Sequence, residues 1–226
     1  MYKKTFLAII PAREGSKRLP QKNILNLCGK PLIAYSIEAG LKSKYINKVI
    51  VSSDSNEILN ISKNYGAFTI KRPHIFAKDT SSTYQAVKHT IDNIESYNYI
   101  ILLQPTSPLR TFKDIDKSIE LLIKKNADAI ISTCLVDHPI QWTTTLNTNL
   151  NLDSFIQSLN SKRSQEQEKH YRLNGAIYIA RTDLLLKEKT FFLKNNTYTY
   201  IMPKETSIDI DDETDFLLAQ VLLNRK

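Results

Sequence analysis

The run Tyr99–Leu103 is apolar at every position, with no polar residue alternating through it. It is too short for a helix, and a strand without alternation has both faces covered. Such strands belong to parallel sheets, whose successive strands need a helical crossover between them. The rest of the chain has that rhythm. Phe6–Ile10, ended by Pro11, Lys48–Ser52 and Ala129–Ser132 read as further short strands. Between them lie helical patterns over Leu32–Leu41, with Pro31 at its first turn, Glu57–Tyr65, with Ser55 as a cap and Gly66 as a stop, Thr80–Ile94 and Asp114–Lys124. The pattern predicts an α/β fold, with a mostly parallel sheet and helices on both faces.

The rhythm breaks after Thr133. Residues 137–170 are polar, lack a clear period and hold the only tryptophan, Trp142. A structureless loop of that length is rare inside a domain, so it reads as an inserted arm used for dimer contacts. Strand signals resume at Ala176–Ile179 and Thr197–Met202. Asp212–Leu223 reads as a closing helix, acidic in its first turn, with Arg225 and Lys226 just past its end. The 226 residues are expected to form one domain, 1–226, carrying that arm. No apolar run approaches membrane-helix length. Met1–Lys4 is basic, but five apolar residues are too few for a secretory leader, so a cytoplasmic location is expected. Cys28 and Cys134 are then expected to be free thiols.

Charge is distributed unevenly. The net charge is +8, and residues 1–30 hold seven bases (Lys3, Lys4, Arg13, Lys17, Arg18, Lys22, Lys30) against one acid, Glu14. Residues 205–215 hold six acids and no base. Nucleic-acid binding would spread bases over a face, and no RNP, KH or zinc-knuckle motif is present. The two clusters instead suggest phosphates and a metal meeting in one site, with neither nucleic acid nor membrane as partner. A nucleotide- or RNA-binding protein without catalysis is the alternative from a different class.

In open α/β sheets, ligands bind at the C-terminal ends of strands. PAREGSKRLPQKN, residues 11–23, follows the first strand with four bases and a glycine. Its backbone N–H groups and cations suit a triphosphate, although neither a GxxxxGK[ST] loop nor a GxGxxG turn is present. Asp209-Ile-Asp211, read as a strand, would turn both carboxylates to one side, and two hard oxygen donors suit Mg²⁺. LQPTSPLR, residues 103–110, places Gln104 at a strand end beside a proline-stiffened turn. In YRLNGAIY, residues 171–178, Asn174-Gly175 could be a hairpin turn and nothing more, or Arg172 nearby could instead bind an anion.

Together with RPHIFAKDTSST and SIDIDDETDF, these segments resemble, in this order, the CMP-sialic acid synthetases (acylneuraminate cytidylyltransferases). The resemblance runs from Ala8 to Leu223. It implies a nucleotidyltransferase-like, Rossmann-like fold with a dimerisation insertion, and a homodimer. It also implies that CTP and a nine-carbon keto-acid sugar react with Mg²⁺ as cofactor to give a CMP-sugar and pyrophosphate. Ala12, Arg13, Lys17, Lys22 and Asn23 would then bind the nucleotide's phosphates and ribose, and Arg72, Ser81 and Thr83 its cytosine. Gln104, Arg172, Asn174 and Tyr178 would hold the sugar, with Phe191 and Phe192 around its N-acyl group. Asp209 and Asp211 would bind the metal. Arg13, Lys22 and Asp211 would carry catalysis, with Asp211 helping to deprotonate the attacking hydroxyl.

In the arm, His138-Pro139 is followed by Ile140, Gln141 and Trp142, and the only bases before Lys169 are Lys162 and Arg163. That stretch is more similar to the members acting on legionaminic acid. The related enzymes for 3-deoxy-manno-octulosonate and pseudaminic acid are the sibling alternatives. QPTSPLR followed by NGAIYI speaks against the first, and NGAIYI alone against the second.

Overall fold

The computed structural model describes residues 4–159 and 168–225. In chain order these form β1 (Phe6–Pro11), β2 (Asn26–Leu27), β3 (Lys30–Pro31), α1 (Leu32–Lys42), β4 (Lys48–Ser53), α2 (Asn56–Asn64), β5 (Phe68–Lys71) and α3 (Thr83–Ile91). There follow β6 (Tyr99–Leu102), α4 (Phe112–Lys125), β7 (Ala129–Leu135), α5 (Asp153–Ser158), β8 (Tyr171–Arg181), α6 (Thr182–Glu188), β9 (Thr197–Ile201) and α7 (Glu213–Asn224).

Seven strands make one sheet in the order β5-β4-β1-β6-β8-β7-β9, and β2 and β3 pair separately as a small hairpin. All neighbours in the large sheet are parallel except β8, which runs antiparallel to both β6 and β7. The alternation within β1 shows how the sheet is covered. Ala8 and Ile10 face a core built with Ile33 and Ile37 of α1, Ile58 of α2 and Ile115 and Ile119 of α4. Leu7 and Ile9 face the opposite core, with Val87 of α3 and Leu185 of α6. Both faces are therefore buried by helices, as the unbroken apolar strands require. A third cluster seats α7 through Ala219 against Leu27, Leu32 and Ile210.

The chain goes from β1 outward to β4 and β5, then returns to the other side of β1 as β6. This reversal opens a crevice beyond the ends of β1 and β6, the usual binding position in such sheets.

Several local expectations change. Ser55 precedes α2, but its side chain makes no capping bond. The helix expected from Thr80 begins at Thr83, because Ser82 and Gln85 form a reciprocal capping box there. Asn174-Gly175 is not a hairpin turn: it lies inside β8. Two steps along β7, Ile131 to Thr133, are matched by five along β8, Tyr178 back to Leu173, so the extra residues form a bulge. Asp209-Ile-Asp211 is an irregular segment rather than a strand. Its alternation survives, with Ile210 fully buried between a half-buried Asp209 and an exposed Asp211. Within the expected arm, only a 3₁₀ turn at Ile140–Trp142 and α5 are regular among the described residues. Lys162 and Arg163 lie outside the described residues.

Candidate active site

A cleft of about 590 Å³ occupies the crevice. It is lined from one side by Arg13, Lys17, Arg18, Lys22 and Asn23 of the loop after β1, and from another by Arg72, Lys78, Asp79, Ser81 and Thr83. Gln104, Pro105 and Thr106 close it below, and Asp211 enters from the far end of the chain. Six bases thus face two acids. The two ends of the chain do meet, since Arg18 reaches Asp211 at 2.8 Å and Lys22 reaches it at 3.6 Å.

The loop after β1 is held by its own backbone. Ala12 N–H donates to the Ser52 carbonyl at 3.0 Å, and Glu14 N–H to the Asp54 carboxylate at 3.1 Å. The Asn23 amide donates to the Arg13 carbonyl at 2.9 Å, which fixes the loop's exit against its entry. Lys22 is mostly buried, and its ammonium donates to the Ile210 carbonyl at 2.5 Å. Its charge is therefore fixed in direction, whereas Lys17 is 79% exposed and held, among the described residues, only by an ion pair with Asp79. Ala12 is buried and contributes only backbone.

Arg72 is buried at the cleft wall, tied through its N–H to the Ser53 carbonyl at 2.7 Å. Burial pushes its guanidinium pKa down, with Asp54 opposing and Arg13 adding to the shift. Its Nε is buried with no hydrogen-bond partner among the described residues.

Gln104 stands at the end of β6, and its carbonyl is clamped from behind. Ser36 Oγ donates to it at 3.1 Å, and Arg110, whose Nη2 donates to Ser36 Oγ at 2.6 Å, approaches it at 3.4 Å. Burial lowers the Arg110 pKa to about 10, so the side chain stays charged at neutral pH. Thr106 O accepts from Ile210 N–H at 2.8 Å, which ties this turn to the acidic segment.

Asp209 lies beneath the cleft floor. Burial pushes its carboxyl up; Thr106 and Lys22 act against the shift and Asp211 with it. Its Oδ1 is buried without a partner among the described residues. A Cβ on Gly175 would come within 3.2 Å of Asp209 Oδ2 and 3.3 Å of Gln104 Oε1. The β8 bulge therefore brings bare backbone against both side chains.

Of the residues expected to bind the sugar, the structure brings only Gln104 to the cleft lining. Tyr178 packs against Phe191 and edge-on to Phe192, with ring centres 6.0 and 5.9 Å away, on the β8 side of the sheet. Phe192 is exposed and Phe191 buried. Arg172 is exposed at the start of β8, beside the arm. Asn174 is buried inside the bulge, with its side-chain amide hydrogen-bonded on both sides. Its Oδ1 accepts from Ser132 Oγ at 2.6 Å and its Nδ2 donates to Ser207 Oγ at 2.9 Å. These bonds tie the bulge to β7 and to the segment before Asp209.

Asp79 was not among the expected site residues. It pairs with Arg13 at 2.7 Å and Lys17 at 2.6 Å. One signal pointed to it: it is the only acid between Glu57 and Asp92, set between basic and hydroxyl-bearing residues.

A parallel sheet with a basic cleft at its reversal defines a nucleotidyltransferase-like domain. Among solved structures, CMP:2-keto-3-deoxy-manno-octonic acid synthetase complexed with CTP superposes with a TM-score of 0.74 at 19% identity, covering 98% of this chain and 99% of that one. The 4-diphosphocytidyl-2C-methyl-D-erythritol synthase of Anaerococcus prevotii gives 0.68 at 12% identity over 98% of this chain and 99% of its own. These likenesses establish the fold. The family model described as cytidylyltransferase matches residues 7–220, and the chain belongs to that family.

An N-acylneuraminate cytidylyltransferase of Escherichia coli O18:K1:H7 is 39% identical over 97% of this chain, which spans 52% of that relative. The chain is thus about half the length of some relatives that it matches. A pseudaminic acid cytidylyltransferase of Campylobacter jejuni is 34% identical over 96% of this chain and 95% of its own length. A CMP-N,N'-diacetyllegionaminic acid synthase of Legionella pneumophila is 32% identical over the same shares.

Proposed function

We propose that the protein joins CTP to a nine-carbon α-keto acid sugar, giving a CMP-sugar and pyrophosphate. The observation that carries this reading is the cleft at the sheet reversal, where bases from two loops surround room for a nucleotide. In the proposed reaction the sugar's C2 hydroxyl attacks the α-phosphorus in line, and pyrophosphate leaves.

Arg13, Lys17 and Lys22 stabilise the charge that grows on the leaving pyrophosphate. Lys22 is already oriented by Ile210, so its contribution needs little reorganisation. Arg72, with Ser81 and Thr83, reads cytosine, and Asn23 holds the loop that borders the ribose. Gln104 orients the sugar, while Tyr178 and Phe192 offer an apolar wall to its N-acyl group. Asp211, in the cleft lining, accepts the hydroxyl proton.

Asp209 and Asp211 fit a divalent cation. Both donors are hard oxygens, Asp209 Oδ1 is buried without a partner, and Mg²⁺ commonly takes one or two carboxylates plus substrate phosphates. Such an ion, when bound, supplies neutralisation of phosphate charge.

The named relatives act on sialic, pseudaminic or legionaminic acids at 32–39% identity, which supports the nonulosonic acid class as substrate. N-acylneuraminate and legionaminic acid are the two sugars to compare first. A homodimer through the arm is part of the proposal. Its support is a run of exposed apolar side chains, Ile140, Trp142, Leu146, Leu150, Leu152 and Ile156. No helix among the described residues is long and apolar enough to cross a membrane. A cytoplasmic location would give access to the cell's CTP.

The test is pyrophosphate release from CTP and Mg²⁺ with each sugar in parallel. Release is expected, and the ratio of kcat/KM values names the sugar. Arg13→Ala and Asp211→Ala should each lose turnover by orders of magnitude while remaining folded. Folded wild-type protein that neither binds CTP nor releases pyrophosphate would overturn the reading.

A further inference from the structure

Asp79 joins two sides of the cleft. It lies between β5 and α3, yet its carboxylate is shared by Arg13 and Lys17 of the loop after β1, at 2.7 and 2.6 Å. These ion pairs are poor candidates for holding the fold together. Asp79 is 43% exposed, Arg13 37% and Lys17 79%, and pairs this exposed contribute little to stability. The contact is nevertheless two-pronged and aimed at the two cations that the proposed reaction needs for phosphate. Lys17, then Arg13, hold the Asp79 carboxyl below the ordinary carboxylate range, so it remains an anion throughout neutral pH.

We infer that Asp79 is a built-in competing anion: it occupies the phosphate-binding cations until a polyphosphate displaces it, and then repels that polyphosphate. The inference rests on the triphosphate reading of the cleft and deepens it. A ligand that takes Arg13 and Lys17 must replace the carboxylate on both. Pyrophosphate and CTP carry enough charge to do so, whereas a nucleoside without phosphates leaves the contact alone. After displacement, an acid stays close to the bound phosphates, where like charges repel. The same repulsion favours departure of pyrophosphate once it is formed. Asp79 therefore gives up affinity for phosphate in exchange for charge selectivity and product release.

The experiment is calorimetric titration of the wild-type protein, Asp79→Asn and Asp79→Glu with pyrophosphate, CTP and cytidine, without metal and at fixed salt. Asp79→Asn, nearly isosteric but neutral, should bind pyrophosphate and CTP about tenfold tighter, equivalent to about 1.4 kcal/mol. Its cytidine affinity should stay unchanged. Asp79→Glu, which keeps the charge, should stay close to the wild type. In turnover, pyrophosphate should inhibit Asp79→Asn at correspondingly lower concentration.

Unchanged or weaker pyrophosphate binding by Asp79→Asn overturns the inference, as does an equal change in both variants, which would mark loop geometry as the cause. Absence of pyrophosphate binding in all three proteins also overturns it. If pyrophosphate binding tightens as expected but the wild type does not turn over CTP, the inference about Asp79 stands and the proposed reaction falls.

Discussion

Asp209 shows what the site costs the fold at the scale of one side chain. Its carboxyl pKa is raised chiefly by burial, so the ionised form is disfavoured in the folded protein relative to the unfolded chain. The native state therefore holds the proton to higher pH than the unfolded state does. It follows that this residue lowers stability at neutral pH, and that the loss is relieved as pH falls through the folded-state pKa, above the ordinary carboxylate range. Asp209→Asn should be more stable than the wild type at pH 7 in chelator, with the gap closing on acidification through that window. Urea denaturation at stepped pH measures this, and a gap independent of pH would contradict it. Residue-scale legibility follows the same division. That Arg13, Lys17, Lys22 and Asp211 meet at one cleft was legible from the opposite charge clusters at residues 1–30 and 205–215. The burial of Asn174 was not legible, because a buried polar clamp and an exposed polar side chain look alike in one sequence.

At the scale of elements, β8 is where strand pairing and the cleft depend on one another. Gly175 sits in its bulge at φ +73°. A side chain there meets backbone strain of about 1–2 kcal/mol and presses on Asp209 and Gln104 as well. Gly175→Ala should therefore lose roughly that stability in urea and, separately, lose turnover in the pyrophosphate assay. Wild-type turnover in this variant would detach the bulge from the site. The bulge was not legible because period-two alternation in a strand carries no mark of where the partner's register slips. The edge strand β5 was missed for a related reason: Phe68–Lys71 is only partly buried, so its side chains lack the apolar continuity that revealed β6. α7 was more legible, since its acidic first turn marks its start at Asp212, whereas α3 starts three residues later than expected because the capping box of Ser82 with Gln85 was not legible.

At the scale of the whole molecule, the described stretch between β7 and β8 leaves apolar side chains uncovered. Trp142, Leu146 and Ile156 are 45, 60 and 57% exposed, side chains of a kind that interfaces bury. Light scattering should give a mass near twice the 25.9 kDa of one chain, and Leu146→Glu with Ile156→Glu should halve it. A wild-type protein with the mass of one chain would remove the dimer from the proposal. The arm also divides the order in which the chain can fold. β7 pairs only with β8 and β9, and both are made after the arm, whereas β5, β4, β1 and β6 need nothing beyond residue 102. A ribosome that has completed the arm has therefore released a four-stranded half-sheet, whose β6 edge is still open. It has also made β7, whose mates β8 and β9 are not yet in the chain. During synthesis the arm is the interval for which that open edge must be kept from other nascent chains, until β8 emerges and enters between β6 and β7.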